Sequence, residues 1–84
     1  MSYLPALIEK IQKKFQIKSQ ERDLLVGEVT LRLASSITIK IYEEYGICRI
    51  EQYRATVRTL ELNDINLIDT MIYIIETLLE SKLH

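Results

Sequence analysis

Few side chains in this 84-residue chain have the chemistry of catalysis. Cys48 is its one cysteine, and His84, the last residue, its one histidine. A Ser/His/Asp or Cys/His set needs an imidazole oriented by a packed neighbourhood, which a terminal position does not supply. A lone cysteine makes neither an intramolecular disulfide nor a cysteine-based zinc site. In a predicted strand it reads as a small buried hydrophobe, and it points to a reducing, cytoplasmic address. Glu43 and Glu44 are adjacent in a predicted turn, so their side chains diverge, and Glu76 and Glu80 stand four apart on a polar helix face. Neither pair has the apolar surroundings that raise a carboxyl pKa for acid–base work. Gly27 and Gly46 belong to no phosphate-cradling motif. The expectation is no catalytic residue, no metal site, no cofactor and no enzyme.

Binding is the chemistry that remains. Arg32, Lys40, Tyr42, Arg49 and Tyr53 interleave cations with aromatic rings, a combination that holds single-stranded nucleic acid through phosphate contacts and base stacking. Overall charge gives this no help, because 11 basic and 12 acidic side chains leave −1 and no net field toward nucleic acid or an anionic membrane. The charges are unevenly placed, however. Residues 1–18 carry Lys10, Lys13, Lys14 and Lys18 against Glu9, net +3, whereas residues 61–84 carry Glu61, Asp64, Asp69, Glu76 and Glu80 against Lys82, net −4. Lys10, Lys14 and Lys18 share one line at four-residue spacing and make a second candidate phosphate rail. The acidic last helix is a candidate surface for a basic protein partner.

Which of these residues meet depends on the elements that carry them. At 48% hydrophobic and 27% charged residues, with two Gly and one Pro, the chain is apolar enough to fold and long enough for one core, so residues 1–84 form a single domain. No apolar run approaches 18 residues, so neither a membrane span nor a secretory signal is expected. Pro5 suits a first helical turn, and Leu4, Leu7, Ile8, Ile11 and Phe15 recur at spacings of three and four, giving a helix over about 4–16. Lys18 to Asp23 is wholly polar and reads as a connection. From Val29 to Ile41 apolar residues occupy odd positions with polar ones between them, the mark of half-buried strands over about 28–34 and 36–43. A three-residue loop at Ala34–Ser36 pairs Leu31 with Ile39 and Val29 with Ile41, although no Gly serves it, and one long bent strand over 28–42 is the alternative. A four-residue turn at Glu43–Gly46 sets Ile41 opposite Cys48, Ile39 opposite Ile50 and Lys40 opposite Arg49, with a third strand over about 47–53. Residues 55–62 carry both helical and alternating spacing and are read as a further strand. Asp64 is placed as the N-cap of a last helix over about 64–82.

The expected architecture is α+β, with a three- to four-strand antiparallel sheet carrying both helices on one face. An all-α bundle is the alternative, and it would scatter the alternating Ile, Leu and Val residues around whole circumferences. Helix, three antiparallel strands and helix is also the element order of the double-stranded RNA-binding domain, which the chain resembles in that order alone. That family opens its last helix with lysines, whereas here the segment is Asn63-Asp64-Ile65-Asn66-Leu67-Ile68-Asp69, and no functional residue is carried over.

The last helix has an apolar stripe about half a circumference wide, with one edge of Leu67, Met71, Ile74 and Leu78 and another of Ile65, Ile68, Ile72, Ile75 and Leu79. One small sheet covers one edge, which leaves the other for the first helix or for the same helix of another subunit. A second copy is the simplest partner, with Leu67, Met71, Ile74 and Leu78 as the expected oligomer interface.

Overall fold

The computed structural model describes residues 4–80, so the expected last turn of the C-terminal helix and His84 lie outside the described residues. Seven elements follow in order: α1 (Leu4–Lys14), β1 (Ser19–Asp23), β2 (Glu28–Arg32), β3 (Ile37–Tyr42), β4 (Ile47–Gln52), β5 (Ala55–Glu61) and α2 (Leu67–Glu80). The strands make one antiparallel sheet in chain order, each beside its sequence neighbour. The architecture is the expected α+β one, with five strands in place of three to four.

Parity decides the layers. Val29 pairs with Ile41 and Leu31 with Ile39, and Ile41 and Ile39 pair onward with Cys48 and Ile50. These odd-numbered and partner positions point to one face and are fully buried there, under Leu4, Leu7 and Ile11 of α1 and Leu67, Met71, Ile74 and Ile75 of α2. Each such aliphatic side chain stabilises the fold by about 2 kcal/mol through its removal from water. Both helices lie on this face. The opposite face carries no element of the described chain, and among the described residues no helix is long and apolar enough to cross a membrane.

Two segments depart from the sequence reading. Ser19–Asp23, expected as a connection, is the edge strand β1, paired from Ser19↔Arg32 to Asp23↔Glu28. All five of its side chains are exposed, so backbone hydrogen bonds and the surface ion pairs Arg22–Glu43 (2.8 Å) and Glu21–Arg32 hold it, and no apolar period announces it. Its charges also keep the sheet edge from recruiting foreign strands. The other edge, β5, is strand as expected, and a bulge in its pairing at Ile50/Glu51 breaks its alternation.

The helix ends are shorter than their apolar spacing suggests. Helix α1 stops at Lys14. Asp64 does not cap α2: its carboxylate accepts the Asn66 N–H at 2.8 Å in a preceding turn, and the Thr70 N–H donates to the Asn66 carbonyl at 2.9 Å, which makes Asn66 the cap position. Ile65 therefore precedes the helix and is almost wholly exposed instead of joining its stripe.

Turn chemistry divides the sheet into two ends. At one end the β1–β2 and β3–β4 connections place Gly27 (φ 62°) and Gly46 (φ 66°) in the left-handed region. At the other, the Leu33 N–H donates to the Ile37 carbonyl at 2.8 Å across the expected three-residue loop, and the left-handed positions there are Ser35 (63°) and Ser36 (59°). The β4–β5 turn at this same end has Tyr53 (53°) and Arg54 (67°), and the Tyr53 N–H donates to the Ser36 carbonyl at 3.3 Å, tying the two turns together.

Candidate functional site

The four residues expected to form an oligomer interface are placed by the structure inside the protomer. Leu67, Met71 and Ile74 are buried in the core, and Leu78 is half-buried against it. The inner sheet face and α1, which packs directly on α2, cover this edge within one protomer. On the opposite edge Ile75 is fully buried and Ile68, Ile72 and Leu79 are half-buried, while Ile65, just before the helix, is 95% exposed.

The other predicted set meets on the open face of the sheet. Arg32, Lys40, Tyr42 and Arg49 alternate with buried residues and so point away from the helices. Lys40 is directly opposite Arg49 across the β3–β4 ladder, as the expected register requires. Like charges so placed repel unless a counter-charge intervenes. Here Glu51, two residues from Arg49 and on the same face, brings its carboxylate to 3.9 Å from Lys40 Nζ. Glu21 on β1 stands 3.7 Å from Arg32. Both distances are ion pairs too long for hydrogen bonds, so neither cation is saturated. The Arg49 guanidinium lies over the Tyr42 ring, 5.6 Å from its centroid, which favours a cation–π contact and holds the guanidinium on the face.

Arg32, Lys40, Arg49 and Glu51 line an open depression of about 1190 Å³ that reaches across the sheet from Ser19 of β1 to Thr56 of β5. Its charged lining is Lys18, Arg32, Lys40, Arg49 and Arg54 against Glu51, five cations against one carboxylate, a formal +4 in a chain whose net charge is −1. Tyr53, 60% exposed, stands on its rim. Toward the other end of the face, Tyr42, Tyr45, Ile47 and Arg49 border a second, shallower depression. The basic lining stops there: Glu28 pairs with Tyr42, and Glu43 and Glu44 follow in the next turn. The electrostatics of the face thus run from cationic at the Ser35–Ser36 and Tyr53–Arg54 turns to anionic at the glycine turns.

Two of the five cations escaped the sequence reading. Lys18 does not extend the lysine line of α1, because the helix ends four residues earlier; its N–H donates to the Arg32 carbonyl at 2.8 Å, and its side chain joins the depression. Arg54 is brought in by the tight turn after β4, which no glycine marks in the sequence. Lys10, Lys13 and Lys14 remain on the exposed side of α1, where Lys13 pairs with Glu9 at 3.3 Å.

Cys48 is buried in the core, and burial, partly offset by a backbone hydrogen bond at Leu60, pushes its thiol up to about 11. It is a packing residue and a poor nucleophile. Among the described residues no group of three or more His, Cys, Asp or Glu side chains is gathered closely enough to hold a metal ion. On α2 the acidic residues Asp69, Glu76 and Glu80 are exposed, beside Tyr73.

No protein-family model, no curated protein and no solved structure matches this chain.

Proposed function

We propose that this domain is a non-enzymatic binding module whose uncovered sheet face takes single-stranded nucleic acid. The observation that carries the reading is the depression with five cations and one carboxylate on a face that no part of the described chain covers. A protein with net charge −1 gains nothing in solubility from such local concentration, and opposing Lys40 to Arg49 costs stability. An arriving phosphate chain removes that repulsion.

Shape supports a single strand. From β2 to the β4–β5 turn is about three strand spacings, roughly 14 Å, which spans a few nucleotides and no more. The acidic end of the face limits the ligand to that length. Tyrosines stand at either end of the cations, Tyr53 on the rim and Tyr42 with Tyr45 beyond Arg49, where unpaired bases find rings to stack on. The buried thiol of Cys48 fits a cytoplasmic setting.

Fluorescence anisotropy with a labelled thymidine oligomer of about ten nucleotides tests the reading. Binding weakens with salt at a logarithmic slope of about −3 when four or five phosphates are engaged. Affinity independent of salt, or absent at low salt, overturns it.

Self-association is a second reading, supported by the half-covered edge of α2 with exposed Ile65. Sedimentation of the wild type and of Ile65→Asp tests it: a dimer that the substitution dissociates supports it, and a wild type of 9.9 kDa at micromolar concentration removes it.

A further inference from the structure

We propose that the Tyr53-Arg54 turn is the gripping element of the sheet-face site, stacking an unpaired base on Tyr53 while Arg54 holds the adjoining phosphate, and that the chain keeps these two residues there at the expense of its own stability. The inference rests on the reading of the sheet face as a nucleic-acid site and names the part of that site that distinguishes an unpaired nucleotide from any other polyanion.

The backbone supplies the argument. Gln52 pairs with Ala55, so β4 and β5 are joined by two residues alone, and both have positive φ, 53° and 67°. A two-residue hairpin of this kind selects Asn-Gly or Asp-Gly, because the left-handed region crowds a Cβ against the backbone and a long side chain gains nothing in return. This chain does supply glycine to left-handed positions elsewhere. Gly27 and Gly46 occupy them at the acidic end of the sheet. At the basic end all four left-handed positions carry side chains, Ser35, Ser36, Tyr53 and Arg54, and the last three of these line the depression. Strain of this sort persists where the surroundings and a function impose it. The surroundings are visible: the Tyr53 N–H is held by the Ser36 carbonyl at 3.3 Å, and Gln52 Nε2 donates to the Ser35 carbonyl at 3.3 Å. The turn backbone is braced against its neighbour, and Tyr53 and Arg54, at adjacent positions, both line the cationic surface. Adjacent ring and cation match adjacent base and phosphate, which duplex nucleic acid and inorganic polyanions do not offer together.

The test uses the full chain, a labelled thymidine oligomer and inorganic polyphosphate. In Tyr53→Asn/Arg54→Gly the thermal midpoint rises by about 5 °C or more, since the turn gains its preferred residues. Oligomer affinity falls at least about ten-fold in the same protein. Tyr53→Asn alone, which keeps every cation, weakens the oligomer by roughly five-fold or more and leaves polyphosphate binding unchanged. A midpoint that stays or falls in the double variant overturns the stability half of the proposal. Unchanged oligomer affinity in both variants, or equal losses on both probes in Tyr53→Asn, overturns the recognition half. A wild type that binds polyphosphate and ignores the oligomer overturns the base-stacking role while the cationic face stands; one that binds neither removes the face and the turn together.

Discussion

Met71→Glu unfolds the domain and separates no subunits. Met71 has no exposure and lies among the aliphatic residues of α2, α1 and the inner sheet face. A carboxylate there has no cation within the core to pair with, and its burial costs about 5 kcal/mol or more whether it stays charged or takes up a proton. That equals the whole stability of many domains of this size, about 4–12 kcal/mol. Ile74→Glu behaves similarly but less severely, because Ile74 retains slight exposure. Far-ultraviolet circular dichroism and sedimentation, run on the same samples, check this result. A variant that keeps its native spectrum while losing mass restores Leu67, Met71, Ile74 and Leu78 as an interface between copies and contradicts their place in the core.

Exchanging both central cations, in Lys40→Glu/Arg49→Glu, abolishes polyanion binding and leaves the fold standing. The lining changes from five cations against one carboxylate to three against three, from +4 to 0. Two phosphate contacts are lost and two repulsions replace them, so oligomer affinity falls on the order of 100-fold at moderate salt, and the salt slope flattens by about 1.4. Stability falls by about 1–2 kcal/mol, short of unfolding the domain. The wild type sets like charges opposite one another at this step with Glu51 to relieve them, whereas in the variant Glu51 becomes a third carboxylate beside the two new ones. The Arg49–Tyr42 contact and the loose Lys40–Glu51 pair are lost as well. Anisotropy titration and a thermal melt separate the two effects. Oligomer affinity within three-fold of wild type in a folded variant removes this face as the site.

Much of the fold was legible because one face of the sheet is buried. Alternation from Val29 to Ile41 fixed which side chains point inward, and only one register lets every buried residue oppose another. Cys48, Ile50 and the Lys40–Arg49 opposition followed from the length of one turn. Legibility stopped where burial stopped. Strand β1 has no buried side chain and so no period, and its pairing with β2 is a backbone matter. Missing it left the sheet one strand short but cost no core, whereas Leu67, Met71 and Ile74 were assigned to a second copy because the cover that α1 gives α2 within one protomer was left out of the count. Ile65 was placed on α2 because its spacing fits the helical stripe, although the chain turns about Asp64 before the helix begins.

The candidate site divides the same way. Arg32, Lys40, Tyr42 and Arg49 could be found because strand parity puts them on one face. Tyr53 was expected beside them as the strand's last residue, whereas the structure gives it to the turn. Arg54 and Lys18 reach the depression through a turn and a chain direction that follow no period. A left-handed Tyr-Arg pair contradicts local preference, so propensity points away from the very turn that completes the site.

The strand order of the sheet also bears on how the chain finds its structure. Every strand pairs with its neighbour in sequence, so no ladder waits for a distant segment and each hairpin closes a loop of only two to four residues. A sheet built from such local pairings folds faster than one whose strands cross over. The packing of α1 on α2 is different, because it joins elements from opposite ends of the described chain. The α1–α2 contact and the inner sheet face complete the core together, so the helices are the clasp of the molecule, tying the two ends of the described chain over a sheet built of local contacts.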